Sequence, residues 1–454
     1  MSVVAACGGD GRTVEPVKRV PRLVAPSDAP IPASPQRGGD PKKGWDALTG
    51  EGYVGCGVPR TLWDRFGAAA VSGVARIDRP RGAELPYFMN PGKTASGVDV
   101  VTANCLGCHA AFLRGELVVG LGEVSTDFAT EGTADAVAMG GLMVSGDARA
   151  EVAKLAGRMR PLEKIRMRSA GANPADHIAA VLFAHRDPKT LAWSDEELIP
   201  IADDEAIPVD VPAWWLLKKK SAMFHTGAGR GDQTRIMMTA SVLCVDDVAT
   251  ATAIDAYFPD IRAFLMTLEP PTYPGAIDRR LVASGKQTFV ARCSKCHGTY
   301  GQGGAYHSRI ISLDKVGTDP KLAEHAGQFA APFTRWFNSS FYGELSKLEP
   351  GLGYVPPPLD GVWATAPYLH NGSVPNLAAV LDSSLRIPKI AIVRGRDAYD
   401  LTAVGWPNRA PDASTDERWI YDASAPGYAN TGHTFGDKLT PTERATVIEY
   451  LKTL

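Results

Sequence analysis

Two five-residue motifs constrain this chain more than any other feature of its sequence. Cys105-Leu-Gly-Cys-His109 and Cys293-Ser-Lys-Cys-His297 each place a histidine directly behind a pair of closely spaced cysteines. On one helical turn, this spacing brings both thiols and the imidazole to the same side of the backbone. Any fold of the chain must therefore contain two such turns, far apart in sequence and alike in local geometry.

Three kinds of chemistry use cysteines at this spacing. A thiol–disulfide site uses CxxC at a helix start in a βαβ setting, and neither motif lies in such a pattern. A zinc site would need all four cysteines together, with no reason for a histidine after each pair. Covalent haem attachment uses every residue of the motif, because the thiols bond the porphyrin vinyl groups and the imidazole binds the iron. The repeated pattern therefore predicts two covalently bound haem c groups.

The attachment residues and the proximal iron ligands follow directly from the motifs. In each motif the two cysteines form the thioether bonds and the histidine binds the iron from the proximal side. These residues are Cys105, Cys108 and His109 for the first haem, and Cys293, Cys296 and His297 for the second.

The sixth ligand of each iron decides its chemistry, because a haem with two protein ligands carries electrons and an open haem can bind oxygen or peroxide. For the second haem we predict His370 as the distal ligand. It precedes an Asn-Gly turn in "WATAPYLHNGSVPNLAAVL" and is held by rigid neighbours. His307 and His325 are the alternative ligands, and the competing interpretation of His370 is a surface or second-sphere histidine.

For the first haem no distal ligand stands out. The stretch Val211–Met238, "VPAWWLLKKKSAMFHTGAGRGDQTRIMM", combines two tryptophans, three lysines and a glycine-rich turn. We nominate Phe224 and His225 for the distal, catalytic side of this haem. The lysines Lys218–Lys220 or Arg230 would pair with haem propionates, and the tryptophans would carry electrons between the haems; the alternative is an aromatic core edge beside a solvated basic face. Other available residues are Met139, Met143, His177, His185 and Met223.

The chain divides into a leader and two unequal units. Residues 1–44 are predicted to form a truncated lipoprotein-like leader and a disordered tether, because they are rich in proline, glycine and charged residues. Residues 45–270 predict an N-terminal haem c domain that ends in an amphipathic helix over Asp260–Leu268, before the helix-breaking "EPPTYP". Residues 275–454 predict a C-terminal cytochrome c domain. The fold class expected is mainly α, with two cytochrome c-like haem domains and long loops.

Two helices of the second unit are predicted in more detail. Gly285 lies on the same helical face as Phe289 and Cys293, and its missing side chain would let the terminal helix cross closely near Tyr450. The terminal helix itself begins with Thr440 as N-cap, Pro441 at the first position and Glu443 in a capping box.

The amino terminus and the composition bear on location. Val4-Ala5-Ala6-Cys7 resembles a lipoprotein cleavage site with Cys7 lipidated, although the six preceding residues lack a positive region and a full apolar segment. We expect a trimmed leader or a mis-assigned start codon, the alternative being a chance cysteine in a tail. Haem attachment of this type predicts an exported, periplasmic or cell-surface protein. Cys56 and Cys244 then remain, as a disulfide or as two buried thiols.

Charge and hydropathy limit the classes of partner. The formal net charge of −2 gives no long-range attraction to nucleic acid or anionic lipid. No apolar run is long enough for a transmembrane helix, so membrane contact is expected only through a lipid on Cys7. The expected partner is a redox protein or a small-molecule oxidant.

Four stretches resemble a known family. They are "LPYFMN", "NCLGCHAAFLRGELVVGLG", "PAWWLLKKKSAMF" and "APYLHNGSVPNL". With the two CxxCH units they resemble the dihaem cytochrome c peroxidase superfamily, and more closely the branch that contains the bacterial rubber oxygenases. The resemblance runs from about Gly50 to the carboxyl terminus, and this chain is shorter than the rubber-cleaving members.

The resemblance implies a division of labour between the haems. The amino-terminal haem is implied to be reactive, with Phe224 as a gate residue above it. The carboxyl-terminal haem is implied to be six-coordinate, with His370 as its distal ligand. The peroxidase branch implies calcium between the domains, and no acidic loop identifies it here. The favoured function is an exported electron-transfer cytochrome of oxidoreductase type, and the alternatives are an enzyme that activates peroxide or dioxygen and a haem-bearing sensor.

Overall fold

Helices of many lengths run through the whole described part of the chain. The computed structural model describes residues 29–454 except 68, 70, 129–130, 202–204, 329 and 396–397. The helices in this part are α1 Pro41–Gly50, α2 Arg60–Leu62, α3 Leu106–His109, α4 Thr133–Gly140, α5 Gly146–Met159, α6 Ala175–Ala184, α7 Gln233–Met237, α8 Val248–Asp255, α9 Phe258–Leu265, α10 Arg279–Arg292, α11 Ser294–His297, α12 Leu313–Val316, α13 Lys321–Gln328, α14 Ala331–Ser339, α15 Leu377–Leu381 and α16 Pro441–Leu451.

Short strands lie between these helices in the chain and pair into small antiparallel sheets. One sheet has three strands in the order β1-β3-β2, and the pairs β4–β5, β6–β8, β7–β9 and β10–β11 each form a two-stranded sheet among the described residues. The strands are β1 Val58–Pro59, β2 Met89–Lys93, β3 Asp99–Ala103, β4 Ala110–Leu113, β5 Glu116–Val119, β6 Gly229–Gly231, β7 Ile311–Ser312, β8 Ser346–Leu348, β9 Gly353–Tyr354, β10 Lys389–Ala391 and β11 Ile420–Asp422. The prediction of a mainly α fold is therefore wrong, and the fold mixes helices with several small sheets.

The hairpin β4–β5 shows why the strands escaped prediction. It pairs Ala110 with Val119 and turns at Arg114-Gly115, both of which have positive φ. Two consecutive residues with positive φ form the tight turn that matches the twist of paired strands. The sequence signal is "AAFL-RG-ELVV", two short apolar runs around a glycine-bearing turn. The hairpin begins at the residue after His109, so it fixes the exit of the chain from the first motif.

Two large apolar cores hold the described part together. The first core is built around α1, α6 and α9, and it also takes in Trp336 and Tyr342 from beyond the predicted boundary. The second core lies around α10 and α16, and it takes in Leu113 and Trp215 from the first unit. Each core thus contains side chains from both predicted units, which locks the two units against each other. The two-domain division itself stays a prediction.

The predicted tether is ordered in its second half. Arg37 forms ion pairs of 2.6 Å with both Asp232 and Asp255, and Asp40 caps α1 by accepting hydrogen bonds from two backbone N–H groups. These charge-assisted contacts compensate the ordering entropy that a segment rich in proline and glycine cannot recover by apolar burial. The prediction of a disordered tether thus does not hold for residues 29–44, while Cys7 and the leader lie outside the described residues.

The first and last helices of the second unit cross at a glycine, as predicted. A Cβ atom placed on Gly285 would lie 1.9 Å from the carbonyl oxygen of Thr446 and 3.0 Å from the Cβ of Tyr450. Thr440 caps α16 in a complete capping box with Glu443. The helix α9 at the end of the first unit is also present, beginning at Phe258 and ending at Leu265. The crossing of α10 and α16 holds the entrance to the second motif.

Replacing Gly285 with alanine is expected to destabilise the protein by about 1–3 kcal/mol, because the added methyl group overlaps backbone atoms that cannot move aside. Thermal unfolding of the purified protein should show a lower Tm for Gly285→Ala. The control is Ser284→Ala on the exposed face of the same helix, which should leave the Tm nearly unchanged. Equal Tm values for the two variants would contradict the close crossing.

A disulfide joins Cys56 to Cys244, with 5.6 Å between their Cα atoms. The sequence left this pairing open, and the structure brings the two residues into one buried cluster with Leu155. In the described part of the chain, no helix combines the length and the apolar character needed to cross a membrane.

Candidate haem sites

The two CxxCH motifs adopt the same local geometry. In the first motif, the backbone N–H groups of Cys108 and His109 both donate to the carbonyl of Cys105, at 3.3 and 3.0 Å. In the second motif, Cys296 and His297 donate to Cys293 at 3.1 and 3.0 Å. One helical turn therefore presents two thiols and an imidazole together in both places, which is the arrangement that covalent haem attachment needs.

A proline carbonyl lies near Nδ1 of each motif histidine. The Nδ1 of His297 lies 2.9 Å from the carbonyl oxygen of Pro357. The Nδ1 of His109 makes no full hydrogen bond, but the nearby carbonyl of Pro212 partly offsets the burial that lowers the pKa of this imidazole to about 4. A backbone acceptor at Nδ1 fixes the ring and leaves Nε2 for a metal. Both histidines are thus neutral and suited to bind iron.

The motif cysteines do not fit the two competing chemistries. All four are half-buried. Burial raises the pKa of Cys105 and of Cys293 to about 11, whereas a redox-active cysteine needs a lowered pKa. In the described part of the chain, no three histidine, cysteine or acidic side chains converge on a common metal position. A shared zinc site for the two motifs is therefore excluded, and the residues fit haem c.

His433 faces the proximal ligand of the second motif. Its ring centroid lies 6.1 Å from that of His297, with an angle of 66° between the ring planes. Two imidazoles that bind one metal from opposite sides, each at about 2 Å, have ring centroids about 6 Å apart. Burial lowers the pKa of His433 to about 4, so its ring is neutral. The spacing and the protonation state fit a histidine on each side of one iron.

The backbone holds His433 rigidly in this position. Its φ of 45° lies in the left-handed region, which a non-glycine residue occupies only where the surroundings enforce it. Its N–H donates to the carbonyl of Val316 at 2.7 Å, and Arg386 donates to the carbonyl of Gly432 at 2.6 Å. Sequence reasoning missed this residue. The available signal was a histidine between glycines, "NTGHTFG", just before the terminal helix.

His370, predicted as the distal ligand, lies in a different environment. Its ring stacks on Tyr354 at 4.0 Å and lies 6.5 Å from the ring of His225. His225 in turn has its Nε2 2.8 Å from the backbone carbonyl of Asp210. The structure thus places two of the predicted site histidines, His225 and His370, next to each other. The geometry favours His433 over His370 as the partner of His297, while His307 is exposed and His325 packs on His177 at 5.2 Å.

A tryptophan, rather than a second imidazole, lies against the first motif histidine. The ring of Trp214 stacks on His109 at 4.6 Å and 18°, and among the described residues no imidazole ring faces His109. Phe224 occupies a tight turn with φ of 65° and is 38% exposed. The remaining candidates serve other roles, since Met139 and Met143 are exposed, His185 packs on Trp193, and Met223 pairs with the backbone of Gly229.

Hydrogen bonds and ring contacts connect the two motif histidines. Trp214 stacks on His109, and the indole of the adjacent Trp215 donates to the carbonyl of Asp360 at 2.9 Å. The N–H of Leu359 donates to the hydroxyl of Tyr300 at 2.6 Å, and that hydroxyl donates to the carbonyl of His297 at 2.7 Å. The two motif histidines are thus connected through a short series of mostly aromatic residues, and the electron path predicted for the tryptophans stays a prediction.

Comparison with known proteins supports a relation to cytochromes c. A family described as "RoxA-like, cytochrome c-like" matches residues 353–390, a segment that includes Pro357 and His370. Two uncharacterised proteins of Sinorhizobium fredii (strain NBRC 101917 / NGR234), y4iJ and y4iM, are each 29% identical to this chain over part of its length. The alignments cover 41% and 38% of this chain and 41% and 45% of the relatives. The chain thus spans less than half the length of either curated relative, and the comparisons support a haem cytochrome.

Proposed function

We propose that this protein is a dihaem c-type cytochrome in which the C-terminal haem relays electrons to or from a reactive N-terminal haem. The observation that carries the proposal is the difference between two otherwise equal motifs. His297 faces a second imidazole at a spacing suited to one iron, whereas among the described residues the ring that stacks on His109 is an indole. A bound haem would supply one-electron redox chemistry at each motif.

The residues of the second site would hold a haem with one fixed pair of histidine ligands. His297 is oriented by Pro357, and His433 is fixed by backbone contacts on both sides. Two histidines on one iron leave no position for a small ligand, and they favour a lower potential than a histidine–methionine pair. This haem would therefore pass electrons without reacting with oxygen or peroxide.

The contacts between the motifs support the relay. They run from His109 through Trp214 and Trp215 to Tyr300 and His297, with a hydrogen bond or a ring contact at each non-covalent step. Trp215, in the middle of this route, is 1% exposed. These contacts would position the two sites relative to each other.

A second candidate is an enzyme that activates peroxide or dioxygen at the first haem. The observation in its favour is Phe224, a bulky residue held at positive φ in a turn, since such strain is retained mainly at functional sites. In this case Phe224 would restrict access to the first iron. His225 is a weaker candidate for proton transfer, because its Nε2 is already engaged by the carbonyl of Asp210.

Location and partners are also part of the proposal. Haem attachment through CxxCH and the Cys56–Cys244 disulfide both suit an oxidising compartment outside the cytoplasm. We infer an exported, periplasmic or cell-surface protein, with membrane attachment only through a lipid on Cys7. Its partner would be a redox protein or a small-molecule oxidant.

Electron paramagnetic resonance of the oxidised protein, produced with haem-maturation machinery, tests the division of labour. One low-spin signal and one high-spin signal of equal intensity are expected, because only the second site supplies two imidazoles. Added cyanide should alter the high-spin signal alone. Two low-spin signals that cyanide leaves unchanged would indicate a simple electron carrier and would overturn the proposal of a reactive first haem.

A further inference from the structure

Three consecutive lysines near the second motif have different partners. Lys218 pairs with Glu269 at 2.5 Å, and Lys219 pairs with Asp360 at 2.7 Å. The ammonium of Lys219 also lies 4.8 Å from the centre of the Tyr300 ring. For Lys220, no carboxylate within 4 Å is found among the described residues. Two lysines of the run are therefore neutralised by the protein itself, and the third is not.

Protein encloses the Lys220 ammonium although the residue is only half-buried. Burial lowers the pKa of this ammonium to about 8. His109 and His297 show the same combination, because each is half-buried and burial lowers its pKa. In all three side chains the titratable end is withdrawn from solvent although part of the residue stays accessible. Lys220 thus shares the setting of the residues that would contact the haems.

The backbone places Lys220 beside the segment that carries the second motif. The N–H of the next residue, Ser221, donates to the hydroxyl of Ser308 at 3.1 Å. The preceding residue, Lys219, lies over Tyr300, whose hydroxyl donates to the carbonyl of His297. The carbonyl of Lys220 accepts from the Gln233 side chain at 3.1 Å, which fixes the turn. Both sequence neighbours of Lys220 therefore contact the chain just after the second motif.

An enclosed ammonium without a counter-ion is costly, because desolvation of a charge is repaid only by pairing. A haem carries two carboxylates at its edge, and a lysine beside that edge would pair with one of them. We propose that Lys220 binds a propionate of the second haem. The inference rests on the proposed dihaem function and adds a residue that neutralises and positions the cofactor.

Arg230, the other cation that the sequence offered for this role, is already engaged. Its guanidinium donates to the carbonyl of Gly227 and lies 3.8 Å from the carboxylate of Glu349. It therefore needs no further anion. Lys218 and Lys219 are excluded in the same way by their own carboxylates, so the assignment distinguishes Lys220 from three neighbouring cations of equal charge.

The test compares Lys220→Met, Lys220→Arg and Lys218→Met in the holoprotein. The pyridine haemochrome assay first establishes two haems per chain in each variant, and its failure would count against the dihaem function itself. A potentiometric titration followed by electron paramagnetic resonance then gives the midpoint potential of each haem. Lys220→Met should lower the potential of the second haem, because an uncompensated propionate stabilises ferric iron. Lys220→Arg should restore most of the difference, and Lys218→Met should behave as wild type.

Three outcomes would overturn the assignment. The first is an unchanged potential of both haems in Lys220→Met, and the second is an equal shift in Lys218→Met. The third is a shift confined to the first haem, which would place Lys220 at the other cofactor. If Lys220→Met does not fold, Lys220→Gln replaces it, and resonance Raman spectra of the propionate bending modes give a second readout. Unchanged bending modes in Lys220→Gln would equally overturn the proposal.

Discussion

Replacing Cys293 and Cys296 together with serine is expected to reduce covalently bound haem from about two groups per chain to about one, because we propose that each motif holds its own porphyrin through two thioether bonds. The Cys105→Ser/Cys108→Ser variant should lose the other haem and retain the second. Haem-dependent peroxidase staining of denatured gels and the pyridine haemochrome assay measure the ratio. The four-cysteine variant should show no stain.

The matched control is Cys56→Ser/Cys244→Ser. These two cysteines form the disulfide and lie in a different cluster from the motifs. Their loss should lower thermal stability, by about 2–5 kcal/mol for a native disulfide, and should leave the haem ratio unchanged. A full haem ratio in either motif variant would show that the corresponding motif does not attach haem covalently.

Replacing His433 with alanine is expected to convert the second haem from low spin to high spin, because the ring that faces His297 at 6.1 Å is removed. His370→Ala should leave the low-spin spectrum in place, since the His370 ring packs on Tyr354 and His225 instead. Visible absorption and electron paramagnetic resonance of the oxidised proteins distinguish the two results. The pair of variants thus separates the histidine that the sequence favoured from the histidine that the fold selects.

Two further variants sharpen this comparison. His433→Met should restore a six-coordinate second haem with a raised potential, as histidine–methionine ligation does in cytochromes c. His307→Ala removes an exposed histidine of the same unit and should have no spectral effect. A high-spin second haem in His370→Ala, combined with an unchanged His433→Ala protein, would show that the distal ligand is His370 after all.

The fold class differs most between sequence and structure: the sequence predicts a mainly α protein, and the structure mixes helices with several small sheets. The motifs and the amphipathic helices suggested a mainly α protein, and the hairpin at Ala110–Val119 shows the kind of element that was overlooked. Strands of two to five residues carry too little period-two alternation to stand out in a sequence. Their pairing depends on residues brought together by the chain as a whole.

Local chemistry could be predicted from the sequence because it needs only neighbouring residues. A CxxCH turn, the capping box at Thr440 and the glycine crossing at Gly285 each depend on a few residues at fixed spacing. Order in residues 29–44 could not be predicted, since it depends on ion pairs between Arg37 and residues about two hundred positions away.

The sequence by itself predicted where haem would be attached and which histidines would be proximal, because those roles are set within five consecutive residues. Only the tertiary structure decided that His433 faces His297, that Cys56 pairs with Cys244, and that the Lys220 ammonium has no carboxylate partner among the described residues. Each of these depends on contacts between segments distant in the chain. Such contacts cannot be read from composition or from the spacing of neighbouring residues, because they form only when the packing of many residues brings distant segments together.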